Sequence, residues 1–366
     1  MAPLFETPLS AWHIAHGAKM LPFAGWNMPI QYPDGIISEH LHTREKAGLF
    51  DISHMGEFIL DGSGAAKSLG RALTVNIATL KPGRCRYGFL LNAEGGIMDD
   101  LIVYRMADER FMIVVNAGCR EADYAAIKER VYAGQGGPHL EDISEATAKL
   151  DLQGPQSFAV LEALLPGSHW RRIPYFGFTQ EAVFDGAPLL VSRTGYTGEL
   201  GAEIYCPTNK ALKLWELLLT DARVKPVGLG ARDTLRLEVG LPLYGQDLDE
   251  QHTPAEAGYA AMLTSQEPYV GKEKSYTVRQ KLTPLVIPGR RSARRGDAVL
   301  LNGIDVGVVT SGSFGPSVGS AVALAYIDTE HAAAPAYTVS AAKVGLEALA
   351  AELPFYKGGT ARMALV

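Results

Sequence analysis

Two adjacent acidic residues, Asp99 and Asp100, interrupt an apolar, β-branched run that is typical of a buried strand. Successive strand side chains point to opposite faces, so the two carboxylates cannot play the same part, whereas Asp100 and Tyr104 share a face. A carboxylate at an apolar wall is costly unless it is hydrogen-bonded or paired with a ligand. The run therefore predicts either a functional acid or a strand-end carboxylate that caps a turn or pairs with Arg86 or Arg105.

The rest of the chain has the pattern of an α+β protein. Its 366 residues are enough for two or three domains. Strand-like and helical runs alternate between residues 56 and 138, and a helix is predicted over 36–48 with Gly48 as its stop. A second helix is predicted over 228–238. After the polar stretch 265–281, short strands separated by turn residues predict an all-β module.

A series of short motifs follows in order along nearly the whole chain. They are Thr7-Pro8-Leu9, Gly17-Ala18-Lys19-Met20, Phe23-Ala24-Gly25-Trp26-Asn27-Met28-Pro29, Gly48-Leu49-Phe50-Asp51-Ile52-Ser53-His54-Met55-Gly56-Glu57, Asn116-Ala117-Gly118, Arg193-Thr194-Gly195-Tyr196-Thr197-Gly198-Glu199, Gly228-Leu229-Gly230-Ala231-Arg232-Asp233-Thr234-Leu235-Arg236-Leu237-Glu238, Leu243-Tyr244-Gly245, Val270-Gly271-Lys272-Glu273, Thr310-Ser311-Gly312 and Pro354-Phe355-Tyr356. With the Asp99-Asp100 segment, this series resembles the glycine cleavage T-proteins, or aminomethyltransferases.

The resemblance implies a three-domain, folate-binding α+β fold around a central channel. The first domain would be discontinuous, formed by residues 1–52 and 140–278. The second, residues 53–139, would carry Asp100, and the third, residues 279–366, would be the C-terminal all-β, barrel-like domain.

The resemblance also implies the residues of the site. Asp100 takes the catalytic position, where it would hydrogen-bond N10 of tetrahydrofolate. Glu203 would accept the adjacent N–H donors of the pterin ring, and Arg232 would be a second folate contact. The remaining cofactor-binding positions form the pocket walls: Met55, Tyr87, Tyr104, Tyr196 and Tyr356. From the residues alone, Glu203 also fits the outward face of a strand with Ala202 and Ile204 inward, and Arg232 also fits an ion pair with Asp233, Glu238 or Glu199.

The family reaction implies a lipoylated H-protein as partner and tetrahydrofolate as co-substrate, with no metal. The alternatives are a tetrahydrofolate-dependent demethylase of the same fold and a non-enzymatic, folate-binding iron-sulphur assembly factor. Leu200, Ala202 and Ala261 depart from residues common in the family, and they leave open a roomier pocket. The three cysteines, Cys85, Cys119 and Cys206, form no CxxC pair and are expected to be packing residues.

Charge and hydropathy limit the classes of binding partner that this chain can have. No apolar run approaches the ~20 residues that span a bilayer, and Met1–Met20 shows no targeting pattern, which favours a cytoplasmic protein without membrane contact. The net charge is -6, but residues 280–366 carry eight Lys/Arg against six Asp/Glu. This small excess, mostly in the turn 290–295, makes nucleic acid an unsuitable partner. The turn instead predicts docking of an acidic carrier, or a solvated loop whose Arg294 reaches the glutamate tail of folate.

Three further motifs are weaker alternatives. Gly315-Pro316-Ser317-Val318-Gly319 matches a nucleophile elbow, but the next segment is predicted to be a strand where that motif needs a helix. His40 and His42 are two apart on a helix and diverge, which argues against a metal pair. The segment 62–68 lacks the spacing of a phosphate loop and is predicted to open a helix.

Overall fold

The computed structural model describes residues 3–132, 137–166, 169–342 and 344–365. The N-terminal segment forms a small sheet, two helices and one strand of the main sheet: β1 (Phe5–Glu6), α1 (Ser10–Ala15), β2 (Lys19–Phe23), β3 (Trp26–Gln31), α2 (Ile36–Glu45) and β4 (Ala47–Asp51). The predicted stop Gly48 is wrong, because Gly48 lies inside β4. A Cβ atom there would approach Thr43 Oγ1 to 2.3 Å, so the glycine lets α2 pack closely on the strand.

The second part of the chain is a five-stranded sheet with two helices on one face. Its elements are β5 (Gly56–Asp61), α3 (Ala65–Ala72), β6 (Arg84–Leu91), β7 (Ile97–Ala107), β8 (Arg110–Val115), α4 (Arg120–Val131) and β9 (His139–Asp142), with the strand order β6-β7-β8-β5-β9. Leu101 and Val103 of β7 pack under the helices. Because β9 pairs with β5 through Asp142, we infer that this domain extends a few residues past the predicted boundary at 139.

The chain then returns to the first unit and completes a six-stranded sheet in the order β11-β12-β13-β10-β4-β14. The elements of this return are β10 (Thr147–Gln153), α5 (Ser157–Leu164), β11 (Phe178–Phe184), β12 (Ala187–Ser192), β13 (Gly201–Pro207), α6 (Ala211–Leu219), β14 (Val224–Pro226) and α7 (Leu229–Glu238). Since β4 precedes the second unit and its neighbours follow it, the first unit is discontinuous in sequence.

The C-terminal unit is a closed barrel in the order β15-β18-β17-β16-β19-β20, which confirms the predicted all-β module. Its strands are β15 (Gln280–Ile287), β16 (Ala298–Leu301), β17 (Ile304–Gly315), β18 (Ser320–Asp328), β19 (Ala336–Ala341) and β20 (Val344–Ala350). Helix α7 fastens the barrel to the first unit, because Leu237 packs on Val322 and Leu324. Arg236 of the same helix is buried as well. It forms an ion pair with Asp247 at 2.6 Å and donates a hydrogen bond to the Ser311 hydroxyl.

The two large sheets lie face to face, and both faces of the six-stranded sheet are therefore covered. Ala202 and Ile204 pack with α5 and α6, whereas Tyr205 of the same strand packs against Tyr104 and Val114 of the five-stranded sheet. A sheet buried on both sides can carry polar side chains only where they are paired. The site lies on this inner face.

Among the helices of the described ranges, none combines the length and the apolar character that a membrane crossing requires.

Candidate active site

A cavity of about 1600 Å³ opens where the two sheets, α7 and the C-terminal segment meet. Seven of the eight side chains predicted for the site line it: Met55, Tyr87, Asp100, Tyr196, Glu203, Arg232 and Tyr356. They come from segments that are distant in sequence, so only the packing of the three units brings them together. The volume is large enough for a drug-sized organic ligand with room to spare.

Glu203 lies on β13 with its carboxylate on the inner face, so the outward-facing interpretation is wrong. Its side chain is ion-paired with Lys149, with Nζ 3.2 Å from Oε1, and both side chains are buried. The Thr194 hydroxyl donates to Oε2 at 2.7 Å. Burial acts to raise the pKa of Glu203, but Lys149 and the hydroxyl donor outweigh it and hold the pKa below its usual value. Glu203 is therefore an ionised acceptor at the cavity wall.

Arg232, on α7, pairs with Asp151 of β10 and with none of the three acids considered from the sequence. Its guanidinium also lies over the Tyr196 ring, 5.2 Å from the centroid. Asp151 is directly opposite Glu203 in the β10–β13 register. The neighbouring strands thus carry a row of charged side chains, namely Lys149, Asp151 and Glu203. Arg232 adds a second cation to this row through its ion pair with Asp151.

Sequence reasoning missed Lys149 and Asp151. The signal was present as the alternation Lys149-Leu150-Asp151-Leu152, which marks a strand with one polar face. That face is inward because a second sheet covers it. His54 lines the cavity as well, and its buried Nδ1 has no hydrogen-bond partner among the described residues. Burial lowers the pKa of His54 to about 4, so its imidazole is neutral.

Asp100 lies on β7 and faces the cavity, as the strand period predicts, while Asp99 points to the helical side and is fully buried. Two donors hold the Asp100 carboxylate: the Tyr87 hydroxyl at 2.9 Å from Oδ2 and Asn116 Nδ2 at 2.8 Å from Oδ1. Burial, followed by the nearby charge of Asp99, raises the pKa of Asp100 to about 7. Asp100 can therefore exchange a proton near neutral pH.

Tyr104 is the one predicted pocket residue that the structure removes from the cavity wall. It is fully buried between the sheets, and its hydroxyl donates to Glu203 Oε2 at 3.3 Å. Tyr104 therefore supports Glu203 from behind. Tyr356 does line the cavity, with the guanidinium of buried Arg44 4.2 Å from its ring centroid.

The residues that depart from the family lie outside the cavity lining. Leu200 and Ala202 belong to the helical-side core, and Ala261 is exposed; none of the three lines the cavity. The four arginines of the turn 290–295 are exposed and lie outside the cavity lining as well. The expectation that Arg294 reaches a ligand tail therefore has no support from the geometry.

The weaker motifs have structural explanations. Ser317 contacts His40 Nε2 at 2.9 Å, but Glu238 contacts the same nitrogen at 3.1 Å, and β18 follows the turn. A catalytic triad needs the acid on the other ring nitrogen, so this is a structural cluster. His42 contacts the carbonyl of Arg223, away from His40. Residues 62–64 form the turn that opens α3, and residues 65–68 are the start of the helix itself.

Comparisons with known proteins agree with this fold. Residues 9–267 match the family model described as the GCVT N-terminal domain, and residues 280–357 match the glycine cleavage T-protein C-terminal barrel domain. An aminomethyltransferase from Picosynechococcus sp. is 40% identical over 97% of this chain and 98% of its own length. Another from Thermotoga neapolitana is 39% identical over 98% and 99%.

A solved structure shares the whole architecture. The crystal structure of glycine cleavage system aminomethyltransferase T from Bartonella henselae has a TM-score of 0.91 and 37% sequence identity, covering 98% of this chain and 99% of that one. The fold defines an α+β protein with a C-terminal barrel. More particularly, the chain belongs to the glycine cleavage T-protein family.

Proposed function

We propose that this protein is a tetrahydrofolate-dependent aminomethyltransferase. Its substrates are an aminomethyl group, carried on a sulfur of the lipoyl arm of an H-protein, and tetrahydrofolate. Its products are 5,10-methylenetetrahydrofolate, ammonia and the lipoyl arm with that sulfur released as a thiol. The observation that carries the proposal is a pair of acids at one cavity that differ in how readily they bind a proton. Glu203 is held ionised by Lys149, whereas burial raises the pKa of Asp100 to about 7. The first suits recognition and the second suits proton transfer.

Glu203 is suited to bind the pterin ring. The ring presents an amide N–H and an exocyclic amine side by side, and one ionised carboxylate can accept from both. Lys149 and Thr194 occupy the carboxylate on the protein side and fix its orientation. Tyr196 and Met55, which line the same cavity, can pack against the ligand rings.

Asp100 is suited to the transfer step. Tyr87 and Asn116 hold its carboxylate toward the cavity, where it can hydrogen-bond N10 of the folate and orient it. As the two folate nitrogens close on the methylene, cationic character develops, and the ionised carboxylate stabilises it. Asp100 can also take the proton that is lost from N10. These steps require only side chains that line the cavity.

The proposal also includes delivery of the lipoyl arm by an acidic H-protein, for which the exposed turn 290–295 offers complementary charge. Charge on such a surface mainly sets the encounter rate and orientation. The turn lies outside the cavity lining, so docking there would leave the cavity free for the arm.

The test is ammonia release from aminomethylated H-protein by the purified protein, with and without tetrahydrofolate. We expect release that depends on tetrahydrofolate, with 5,10-methylenetetrahydrofolate formed in equal amount. Matched reactions with methylamine or sulfonium donors test the demethylase alternative. Folate binding without turnover of any donor would favour the assembly-factor alternative and contradict the proposal.

A further inference from the structure

Directly behind Asp100, on the helical side of β7, three side chains converge that the proposed reaction does not use. They are Asp99, Cys119 and Asp123, and one oxygen or sulfur atom from each lies within 4.8 Å of the others. Asp99 and Asp123 are 0% and 1% exposed. Asp123 is in the first turn of α4, which packs it against the strand.

The contacts of Asp123 require a proton. Both of its carboxylate oxygens are buried and receive no hydrogen bond from a recognised donor among the described residues. An oxygen of Asp99, another carboxyl group, lies within 4.8 Å of Asp123. Two buried carboxyl groups this close are not both ionised, and a hydrogen bond between them requires that one of them is protonated.

The contacts of Asp99 show which carboxyl carries the charge. Asp99 already accepts from the Asn116 backbone N–H, at 2.9 Å, and from Asn116 Nδ2, at 2.8 Å. The Cys119 sulfur lies within 4.8 Å of an Asp99 oxygen as well. An ionised carboxylate accepts from several donors, so Asp99 is the anion and Asp123 the donor.

Asn116 links this pair to the catalytic position. Its Nδ2 donates to Asp99 Oδ1 and to Asp100 Oδ1, both at 2.8 Å. An amide nitrogen has two hydrogens, so each carboxylate receives one. The orientation of the amide, and with it the position of the Asp100 carboxylate, therefore depends on Asp99 remaining in place as an acceptor.

We propose that Asp123 stays protonated and donates to Asp99, and that this buried carboxyl–carboxylate pair positions Asp100 through Asn116 while keeping a single negative charge behind it. Asp123 and Asp99 are thus positioning residues. The part that concerns turnover rests on the proposed function, whereas the shared proton is a property of the folded protein alone.

The charges around the pair favour the protonated form of Asp123. Burial, followed by Asp99 and Asp100, raises the pKa of Asp123, and Arg130 on the same helix opposes this only weakly. The Arg130 guanidinium is engaged elsewhere, with the carbonyls of Ala72 and Leu91. From the remaining packed segment Tyr244 faces the cluster, and burial with these acids raises its pKa too. Of the groups named here, Arg130 alone is cationic, and its guanidinium is engaged elsewhere, so these surroundings favour retention of the proton.

Difference infrared spectroscopy on the intact protein at about pH 9 tests the shared proton directly. We expect a protonated carboxyl C=O band that Asp123→Asn abolishes and that persists in Asp100→Asn and in the control Glu57→Gln, a second buried acid. Absence of the band in the unchanged protein would overturn the proposal. So would a stoichiometric divalent metal in the purified protein that is lost in Asp123→Asn, because a metal would replace the proton.

Kinetics tests the positioning role. Asp123→Leu, which removes the donor, should lower kcat about tenfold with little change in the tetrahydrofolate KM, and Asp123→Asn, which keeps a neutral donor, should recover most of that loss. Asp99→Asn should move the acidic limb of the kcat profile to lower pH, because the charge behind Asp100 is gone. Equal losses in both Asp123 variants, or an unmoved Asp99→Asn profile, would contradict the role. If no variant turns over, the infrared band still shows whether Asp123 is protonated.

Discussion

Replacing Asp100 with asparagine should lower turnover strongly while leaving tetrahydrofolate affinity nearly unchanged. The amide keeps the size of the side chain, and its oxygen can still accept from Asn116 or Tyr87. What it loses is the negative charge. Two unit charges about 4 Å apart interact by about 4 kcal/mol at an effective dielectric constant of about 20, and by about half of that if cavity water remains. The expected loss in kcat is therefore about 30-fold to about 1000-fold.

The same substitution should stabilise the protein at neutral and alkaline pH. Burial and Asp99 raise the pKa of Asp100 from 3.8 to about 7 in the folded state. Because folding raises this pKa, protonated Asp100 contributes fully to the free energy of unfolding below pH 3.8. That contribution is lost as the pH rises to about 7. The loss is at most about 4 kcal/mol, and screening by cavity water reduces it. Asp100→Asn should therefore gain about 1 to 3 kcal/mol over the unchanged protein at pH 8.

Three measurements check these effects: ammonia release for kcat, intrinsic fluorescence for folate affinity, and urea denaturation between pH 4 and pH 8 for stability. Asp108→Asn is the matched control, since this carboxylate is near the same strand but its side chain is 91% exposed. A tenfold or larger loss of folate affinity in Asp100→Asn would refute the separation of chemistry from binding. A variant less stable at pH 8 than the unchanged protein would refute the electrostatic reasoning.

Further substitutions test recognition, docking and the buried charges. Glu203→Gln should weaken tetrahydrofolate binding by about 1 to 3 kcal/mol, because an amide gives one of the two ring donors no acceptor; unchanged affinity in a fluorescence titration would exclude this contact. Joint Arg291→Ser and Arg295→Ser should raise the apparent KM for H-protein and flatten its salt dependence, unlike Lys67→Ser; a normal salt profile would remove the docking hypothesis. Arg44→Met should cost about 3 to 5 kcal/mol in urea denaturation, because two buried carboxylates lose their cation, and a smaller loss would show that water reaches them.

Local patterns in the sequence were enough for much of the fold. The strand period placed Asp100 and Asp99 on opposite faces, and turn residues placed the barrel strands, because both properties depend on neighbours a few residues apart. The meaning of Gly48 was not local. Gly48 could end a helix or let a strand approach one. The choice depends on the packing of Thr43 against Gly48, which only the folded chain shows.

The sequence by itself determined the alternating faces of the central strands and, through its ordered motifs, the family and seven of the side chains that line the cavity. Only the tertiary structure decided which polar faces are buried. Lys149 and Asp151 look like the solvated side of a strand until the second sheet covers them, and Arg232 finds Asp151 across 81 residues of sequence. Covering that face removes water from these charges, and each then needs a partner, which sheet order and helix placement supply.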